Sequence, residues 1–584
     1  MAKIINFIKL IKNYFVISFL AIVFLAASWS LLQPGFFRAH DYVHGARIAE
    51  MTRALQDGHF PVRWSENFGY GFGMPLFEFY APLPFYVGSL FYYLGLDLVL
   101  TVKLLFLISN IISLIGAYKL GKSLFGNRGG ILLSAAFTLA PYRAVNLFVR
   151  GAISEAWGIM ALPWVLYGVV KITRGEKKSG LITMTAGLSV LMLSHNLTTL
   201  MFVPFSFIFA IGYLLSIEKN RNKIKNLLMR ILSGYLLAGG LSAFYMLPAF
   251  MEKKFTQIDT ILGGYFHYSN HFLYIRQFFY PNWGFNGSAW GPDDEISFFL
   301  GYGQLIALFI SVLVFIYFIK KKKILTDKKY RDYKFYLYPL TLILMVISLF
   351  MTILKSKFLW DTLPLLNFIQ FPWRFLSVSI IFVAIIAAFN IKLFSNIVLK
   401  LFYFLFIFWV IVLGNFYYFR PEKMMDDPTA LYYEDQKKIR VNMSDVLKDY
   451  VPIQMSLNGG ELKQQFENFQ IPENTTVQIN KTQEKLYSMN LDENKVVEFP
   501  IANFPGWIVE IDGNKVDSLT AENGLLSANV PSGPHQIGIY FGHSQIRLIA
   551  DFISTISLLV FLYLIVDYKK EKKEKPFFFK CFKY

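Results

Sequence analysis

Long apolar stretches recur along the whole chain, and they constrain its fold more than any other sequence feature. A stretch of about twenty residues with few charges is long enough to cross a lipid bilayer as a helix. Here such stretches alternate with short charged connections, a pattern typical of α-helical polytopic membrane proteins. The sequence predicts about twelve transmembrane helices, near residues 13–33, 98–118, 129–148, 154–171, 180–194, 197–216, 229–249, 297–319, 335–354, 375–392, 398–418 and 547–567.

The excess of positive charge supports one orientation of this bundle. The chain carries 57 Lys and Arg against 39 Asp and Glu, for a formal net charge of +18. If the N-terminus is cytoplasmic, twelve spans place every large basic segment on the cytoplasmic side, as basic loops prefer. These segments are 119–128, 171–178, 219–230, 320–334 and 569–583. The charge therefore indicates membrane topology rather than a nucleic-acid partner.

Three features at the margins of this pattern need an interpretation. The first apolar segment is long and has no small-residue cleavage site before Gln33, so we interpret it as a retained span. Residues 82–96 are too few to cross comfortably, and we predict a re-entrant or interfacial helix on the outer side. The single cysteine, Cys581, excludes an internal disulfide and a thiolate metal cluster.

The domain organisation follows from this topology. Residues 1–419 form a transmembrane domain whose first outer loop is 34–97, and residues 547–584 form the last span and a basic cytoplasmic tail. Between them, residues 420–546 form an extracytoplasmic domain that is β-sandwich-like in its second half. Alternating apolar residues there surround Asp512-Gly513, a dipeptide that favours a hairpin turn.

The first outer loop combines charge with a helical apolar period. One helix face would carry residues at i, i+3, i+7, i+10 and i+14, namely Asp41, His44, Ile48, Met51 and Leu55. Arg47, Glu50 and Arg53 lie off this stripe. An acid and an imidazole on a buried face at a membrane boundary are costly unless they are used or paired. Asp41 can also serve as the helix N-cap, and the two roles do not exclude each other.

Other candidate site residues lie in the remaining outer segments. They are Arg143, Arg150 and Glu155 between the third and fourth spans, His195 and Asn196 after the fifth span, and Gln370 and Arg374 before the tenth span. Each has a plainer alternative: Arg150 can pair with Glu155, and His195 can form an interhelical hydrogen bond. Asp293, Asp294 and Glu295 form either a solvated rim or a site for a divalent cation.

Five motifs together resemble a known family. They are HDYVHGARIAE, FPVRWSENFGYGFGMPLFEFYAPLPFY, RGAISEAW, LSHNLT and QFPWRF. They look like the bacterial membrane proteins described as 6-pyruvoyl-tetrahydropterin synthase-related, which resemble the GT-C superfamily of glycosyltransferases. The segment FPGWIVEIDGNKV with VPSGPHQIGIYF is similar to the end of YfhO-like membrane proteins. Nothing in the chain suggests a soluble pterin enzyme with a His-coordinated zinc.

The resemblance implies a GT-C-like inverting glycosyltransferase in a bacterial plasma membrane. Its donor would be a polyprenyl-phosphate-linked sugar, and its acceptor a glycan, lipid or protein of the envelope on the outer face. The acidic residue of the first outer loop matches Asp41, which would act as general base or hold Mg²⁺ or Mn²⁺, with His44 orienting it. No cofactor is certain, because a second acid is not evident.

The other candidate residues would then bind substrate. Arg143, Arg150 or Arg374 would hold the phosphate, since a guanidinium suits phosphate bidentately. The alternative function is a lipid or glycan transporter, or a non-catalytic membrane partner in envelope assembly. Transporters tend to carry ionisable groups near the membrane midplane. The charges here gather at one face, which favours surface chemistry.

Overall fold

The computed structural model describes residues 2–320, 333–394, 396–426, 435–444 and 448–574. Within these ranges, seven helices are long and apolar enough to cross a membrane. They are Asn13–Leu32, Leu98–Phe125, Ile153–Thr173, Asn196–Ile217, Pro372–Lys392, Ile397–Phe416 and Gln545–Lys572. The chain is therefore a polytopic helical membrane protein. Cys581 and most of the basic segments 320–334 and 569–583 lie outside the described residues.

Two bent helix pairs raise the number of candidate spans to nine. Asn127–Thr138 meets Pro141–Val149 at 48°, and Arg221–Leu241 meets Ala243–Met251 at 72°. Pro141 accounts for the first break, because proline cannot continue the hydrogen bonding of the preceding helix. Nine is fewer than the twelve predicted. Helices also occupy the other three predicted segments, but they are shorter or less apolar: Lys177–Ser194, Tyr302–Ile316 and Tyr336–Phe350.

The helix Leu376–Phe389 lies inside the bundle, and all 14 of its residues are buried. It packs against Tyr333–Phe350 and Asn127–Thr138. By contrast, Gln545–Glu574 exposes large apolar side chains such as Phe552, as a helix facing lipid would. The remaining helices of at least nine residues are Ala2–Leu32, His44–Gln56, Leu83–Tyr93, Leu98–Phe125, Ile153–Thr173, Lys177–Ser194, Asn196–Ile217, Arg221–Leu241, Ala243–Met251, Tyr302–Lys320, Ile397–Phe416 and Gly459–Glu467.

The first outer loop folds as a compact unit on the bundle. Its helix His44–Gln56 packs against Leu83–Tyr93, a helix of 11 residues that is too short to span. The prediction that Asp41 begins the apolar stripe is wrong. The helix starts at His44 after Val43, no side chain caps it, and Asp41 lies in the extended segment before it.

Two antiparallel sheets lie between residues 475 and 541. Their strands are β1 Thr475–Lys481, β2 Glu484–Leu491, β3 Lys495–Ala502, β4 Trp507–Ile511, β5 Asn514–Val516, β6 Leu519–Thr520, β7 Leu525–Val530 and β8 Gly533–Phe541. One sheet has the strand order β1-β2-β8-β4-β5 and the other β3-β7-β6. Asp512 and Gly513 join β4 to β5 with φ of 50° and 79°, which confirms the predicted hairpin.

Backbone pairing fastens the region after residue 420 to the first loop. The short strands Phe36–Phe37 and Met424–Met425 pair antiparallel, and the amide of Ala502 donates to the carbonyl of Phe72 at 2.7 Å. The β-rich region therefore packs directly against the first loop.

Candidate active site

A cavity of about 650 Å³ lies where the outer loops meet the ends of the membrane helices. Its walls come from the first loop, the turns near residues 150 and 195, the segment 246–296, the segment 365–374 and residues 449–450. Seven of the nine predicted site residues line it: Asp41, Arg150, Glu155, His195, Asn196, Gln370 and Arg374. Residues more than three hundred positions apart in sequence are thus brought to one space.

Backbone contacts hold Asp41 at the edge of this cavity. The amide of His40 donates to the carbonyl of Val149 at 3.0 Å, and the amide of Asp41 donates to that of Arg150 at 2.8 Å. Gly151 permits this close approach, because its φ is +65° and an added Cβ would lie 2.7 Å from that of Ala39. The Asp41 side chain is left partly exposed and faces the cavity.

His44 supports this turn and does not line the cavity. Its Nε2 lies 2.6 Å from the carbonyl oxygen of Gly151, so Nε2 carries the proton and donates. Burial, together with the nearby charge of Arg47, lowers the pKa of His44 to about 4. The neutral imidazole therefore ties the loop helix to the turn behind Asp41.

A buried carboxylate, Glu155, organises the part of the wall next to Arg150. Its Oε1 accepts a hydrogen bond from the Tyr142 hydroxyl at 2.7 Å, and its Oε2 accepts one from Arg150 at 2.5 Å. The Nε of Arg374 lies 3.9 Å from the same Oε2. Arg150 also lies over the ring of Trp373, 5.0 Å from its centroid. Arg150 and Glu155 thus pair with each other, as in the plainer alternative, and they do so inside the cavity.

Arg374 lines the cavity and keeps one hydrogen-bond donor unused. Its Nη1 donates to the carbonyl of Ile369 at 2.8 Å and to Gln370 at 3.2 Å. Among the described residues, its Nε donates to no acceptor. Gln370 adopts a φ of 62°, a conformation that is uncommon for a residue with a side chain.

Two further cations of the cavity were not predicted. Arg47 is 3% exposed, lies 4.0 Å from the ring centroid of Tyr80, and has no carboxylate within 4.0 Å in the described ranges. Lys253 likewise pairs with no described carboxylate and lies 4.5 Å from the ring centroid of Phe368. The sequence pattern placed Arg47 off the apolar stripe of the loop helix, and therefore away from the buried face. An arginine inside an otherwise compact aromatic loop is the signal that could have identified it.

Arg143 takes a place outside the cavity. It is 1% exposed and lies among the membrane helices. Its guanidinium donates to Ser113 Oγ at 2.7 Å and to Asn110 Oδ1 at 2.9 Å. These contacts commit it to packing between helices, so it does not reach a ligand in this space.

His195 and Asn196 form the start of a membrane helix at the cavity wall. His195 is the N-cap of Asn196–Ile217, and its Nδ1 accepts from the amide of Thr198 at 3.2 Å. Its contacts are local rather than interhelical, in contrast to the alternative interpretation. Burial lowers the pKa of His195 to about 3, so the imidazole is neutral.

The region after residue 420 closes the cavity. Tyr450 stacks on Phe79 of the first loop, with ring centroids 5.9 Å apart. Beside it, Asp449 lines the cavity, and burial raises the pKa of its carboxyl group to about 6. The region after residue 420 thus contributes an acid and an aromatic ring to the site.

The donor set does not fit a metal site built from protein side chains alone. In the described parts of the chain, no three His, Cys, Asp or Glu residues are grouped to hold an ion. The acidic run 293–295 is occupied by neighbours: Asp293 pairs with Arg276, Asp294 accepts from Gln277 at 2.8 Å, and Glu295 contacts Asn286. We derive no step through a metal.

The chain belongs to a family of membrane proteins. Residues 77–421, more than half of the sequence, match the family described as "6-pyruvoyl-tetrahydropterin synthase related domain; membrane protein". This agrees with the resemblance found in the sequence. A protein of Lactococcus lactis subsp. cremoris, named only as uncharacterized, is 26% identical over 348 residues. The match covers 58% of this chain and 54% of that protein, so the chain spans about half the length of that relative.

Two solved structures are also similar to this chain. The mycobacterial arabinofuranosyltransferase AftD gives a TM-score of 0.47 at 14% identity, covering 71% of this chain and 28% of AftD. The Archaeoglobus fulgidus oligosaccharyltransferase in the apo form gives 0.42 at 11% identity, covering 70% of this chain and 56% of that one.

Proposed function

We propose that the protein is a GT-C-like inverting glycosyltransferase. It transfers a sugar from a polyprenyl-phosphate donor to an envelope acceptor on the outer face of a bacterial plasma membrane. The observation that carries the proposal is the cavity, which brings the partly exposed carboxylate of Asp41 together with a group of buried and half-buried cations. A base and a phosphate-binding wall are the two parts that such a transfer requires.

Asp41 acts as the general base. It takes the proton of an acceptor hydroxyl while that oxygen attacks the anomeric carbon of the donor. The bond between the anomeric carbon and the phosphate oxygen breaks, and the phosphate leaves with the electron pair on the face opposite to the attack. The configuration at the anomeric carbon is therefore inverted, and the products are a glycosylated acceptor and a polyprenyl phosphate.

The cations stabilise the leaving phosphate. Glu155 already compensates Arg150, so Arg150 and Glu155 form a fixed support rather than a free anion site. Arg47 and Lys253 have no described carboxylate within 4.0 Å. Arg374 lies 3.9 Å from Glu155 Oε2, an oxygen that Arg150 already contacts at 2.5 Å, so its charge is only partly compensated. Cations in a water-poor cavity attract developing negative charge strongly, because the local dielectric is low. We assign phosphate binding to these three residues in place of Arg143.

Membrane topology completes the proposal. The twelve predicted segments would leave both termini in the cytoplasm, with the first loop and residues 420–546 outside. The cavity then opens at the outer membrane surface, where a lipid-linked donor lies within the bilayer and an acceptor arrives from the envelope. Aromatic side chains such as Tyr80, Tyr265 and Phe371 line the path between them.

The test is sugar transfer by the purified full chain in lipid, over a panel of polyprenyl-phosphate sugars. Asp41→Asn keeps the side-chain shape and should lower turnover by about 10²–10⁴-fold, the usual contribution of a placed base. The matched control is Asp293→Asn, an exposed aspartate of the rim that pairs with Arg276 and does not line the cavity.

Three results decide the outcome. Turnover that depends on Asp41 and not on Asp293 supports the proposal. Full activity of Asp41→Asn would contradict the role of Asp41 as base. Movement of a lipid or glycan across vesicles without any sugar transfer would replace the enzyme by a transporter.

A further inference from the structure

A second cavity, of about 250 Å³, lies between the first outer loop and the β-rich region. We call it the interface cavity. Aromatic rings from both regions form its walls, including Trp64 and Phe72 of the loop and Phe466, Tyr487 and Trp507 beyond residue 459. Trp64 and Trp507 meet edge to face with centroids 5.2 Å apart, and Phe72 meets Phe466 in the same way at 5.3 Å. The rings are therefore held at fixed angles.

Polar groups at this cavity carry unused hydrogen-bonding capacity. Trp507 is 5% exposed, yet its indole N–H donates to no acceptor in the described part of the chain. Lys485 contacts Oε1 of Glu66 and donates to Asn480 at 2.5 Å. The Glu66 side chain is 17% exposed, and its Oε2 accepts no hydrogen bond from the described residues. The Trp507 N–H is the buried polar group without a partner, and such a group calls for a specific explanation, such as a ligand.

We propose that the interface cavity binds one sugar ring of a glycan. A sugar ring presents C–H faces that pack on aromatic rings, and hydroxyl groups that both donate and accept. The Trp507 N–H and the Glu66 carboxylate supply the matching donor and acceptor. The volume is below the roughly 300–1,000 Å³ of sites for drug-sized ligands, so it suits one ring rather than a lipid.

The charges at the cavity disfavour other ligands. An acyl chain would leave the buried Trp507 N–H unpaired and would take the Glu66 carboxylate out of water. Arg440 also lines the cavity, but it already donates to Asn67 Oδ1 at 2.8 Å and lies 5.1 Å from the ring centroid of Phe466. A phosphate would bring a second anion beside the Glu66 carboxylate, which already neutralises Lys485. A neutral polyhydroxyl ligand satisfies both groups without either penalty.

The interface cavity lies next to the cavity of about 650 Å³ that Asp41 lines, which we call the transfer cavity. The ring of Phe504 contacts Trp64 at 6.3 Å and Phe79 at 6.2 Å between centroids. Trp64 lines the interface cavity and Phe79 lines the transfer cavity. One aromatic layer thus separates the two. The glycan held here is the growing acceptor or its product, an assignment that rests on the proposed function, whereas the sugar class rests on the cavity itself.

The experiment is binding of the purified full chain, in lipid nanodiscs, to a microarray of bacterial oligosaccharides, followed by titration with the best binder. Trp507→Phe keeps one aromatic ring and removes the five-membered ring with its N–H, and it should weaken binding about three- to tenfold. Glu66→Gln removes a charged acceptor and should weaken binding at least about tenfold. The controls are Trp290→Phe, an exposed tryptophan, and Glu484→Gln, which pairs with Lys481; neither lines the cavity.

The outcomes separate this inference from the proposed function, because array binding requires no donor. A chain that binds no glycan, or variants that both bind as tightly as the wild type, would overturn the inference. Binding of peptides in place of glycans would overturn the ligand class. Glycan binding that survives in a chain without transferase activity would support the inference and contradict only the proposed function. Sugar transfer to a short acceptor by a chain that binds no glycan on the array would support the proposed function and contradict only this inference.

Discussion

Two groups of charges each include residues of the loop 34–97, and they differ in how their charges are matched. We call them the tie cluster, which comprises Arg63, Glu78, Glu252, Arg547 and Asp551, and the cavity cluster, which comprises Arg47, Arg150, Glu155, Lys253 and Arg374. Both bring together residues distant in sequence. Only the tie cluster satisfies its cations with its own carboxylates.

In the tie cluster, every cation faces an acid. Arg547 is fully buried and donates to Glu252 at 2.7 Å, with Glu78 at 3.0 Å from its Nε. Arg63 donates to Asp551 at 2.7 Å. Burial raises the pKa of Glu78 well above its usual range, which favours its neutral form. Two cations then face two anions, and the cluster joins the first loop to the last membrane helix.

In the cavity cluster, the cations outnumber the buried acid. Glu155 compensates Arg150, while the buried Arg47 and the half-buried Lys253 pair with no described carboxylate, Asp41 and Asp449 of the same cavity included. A buried cation without a counterion is unfavourable unless a ligand supplies the charge. We infer from this difference that the tie cluster stabilises the fold, whereas the cavity cluster binds a ligand. The predictions below test that distinction, from the largest expected effect to the smallest.

Arg547→Met should destabilise the protein most. Removing one partner of a buried ion pair typically costs about 3–5 kcal/mol, because the remaining carboxylates lose their counterion. We expect a clear fall in the Tm of the full chain in detergent. The control is Arg276→Met, which breaks only the exposed pair with Asp293 and should leave the Tm nearly unchanged. An unchanged Tm in Arg547→Met would remove the distinction between the clusters.

Acidification should weaken the fold through His44. Burial lowers the pKa of His44 to about 4 in the folded chain, against 6.5 for an unperturbed histidine. The unfolded chain therefore binds a proton below about pH 6.5 that the folded chain binds only near pH 4. This stability is complete above pH 6.5 and is lost as the pH falls, by roughly 3 kcal/mol.

The measurement for His44 is the free energy of unfolding between pH 7 and pH 4.5 in the wild type and His44→Gln. His59, whose pKa burial lowers to about 3, contributes in the same direction in both proteins. The difference between the two curves isolates His44. Parallel curves would show that His44 is not buried as a neutral imidazole.

Arg47→Gln should lower kcat/KM for the donor with little effect on the Tm. A hydrogen bond to a charged group contributes about 1.5–3 kcal/mol, which corresponds to about a ten- to hundredfold loss. The matched control is Arg53→Gln on the same helix, since Arg53 pairs with Glu50 and does not line the cavity. If Arg47→Gln lowered the Tm as much as Arg547→Met, Arg47 would belong with the structural charges.

The smallest expected effect concerns Asp449. Burial raises the pKa of its carboxyl group to about 6. Below that pH, Asp449 is neutral, the cavity is more positive, and a sugar phosphodiester of polyprenol should bind about two- to threefold more tightly. Asp449→Asn should bind with the low-pH affinity throughout. A phosphodiester is used because it does not titrate in this range. The opposite trend would contradict the charge assignment.

Much of the fold could be predicted because apolar length is a local property of the sequence. A helix or a bent pair occupies each of the twelve predicted segments. The bends were not predicted: the 48° break falls at Pro141 and the 72° break at Ser242. The short strands that join residues 36–37 to residues 424–425 depend on long-range pairing and left no signal.

The site was predictable to the extent that charges at one membrane face converge. Arg150, Glu155 and Arg374 were found in this way. Arg47 was missed because the helical period assumes one buried face, whereas the helix His44–Gln56 is buried on nearly every side. The helical period wrongly placed Asp41 in that helix. Its backbone instead pairs with residues 149–150, about a hundred positions further along the chain, and a local period cannot predict such long-range pairing.

The measurement that tests the central claim most directly is the affinity of the full chain for a polyprenyl phosphate against the same polyprenol without phosphate. We expect the phosphate to bind at least about tenfold more tightly, since unbalanced cations face the cavity. The preference should decrease in Arg47→Gln and remain in Arg53→Gln. Equal affinity for the phosphate and the alcohol would contradict the account, because the cavity would then recognise only the lipid chain.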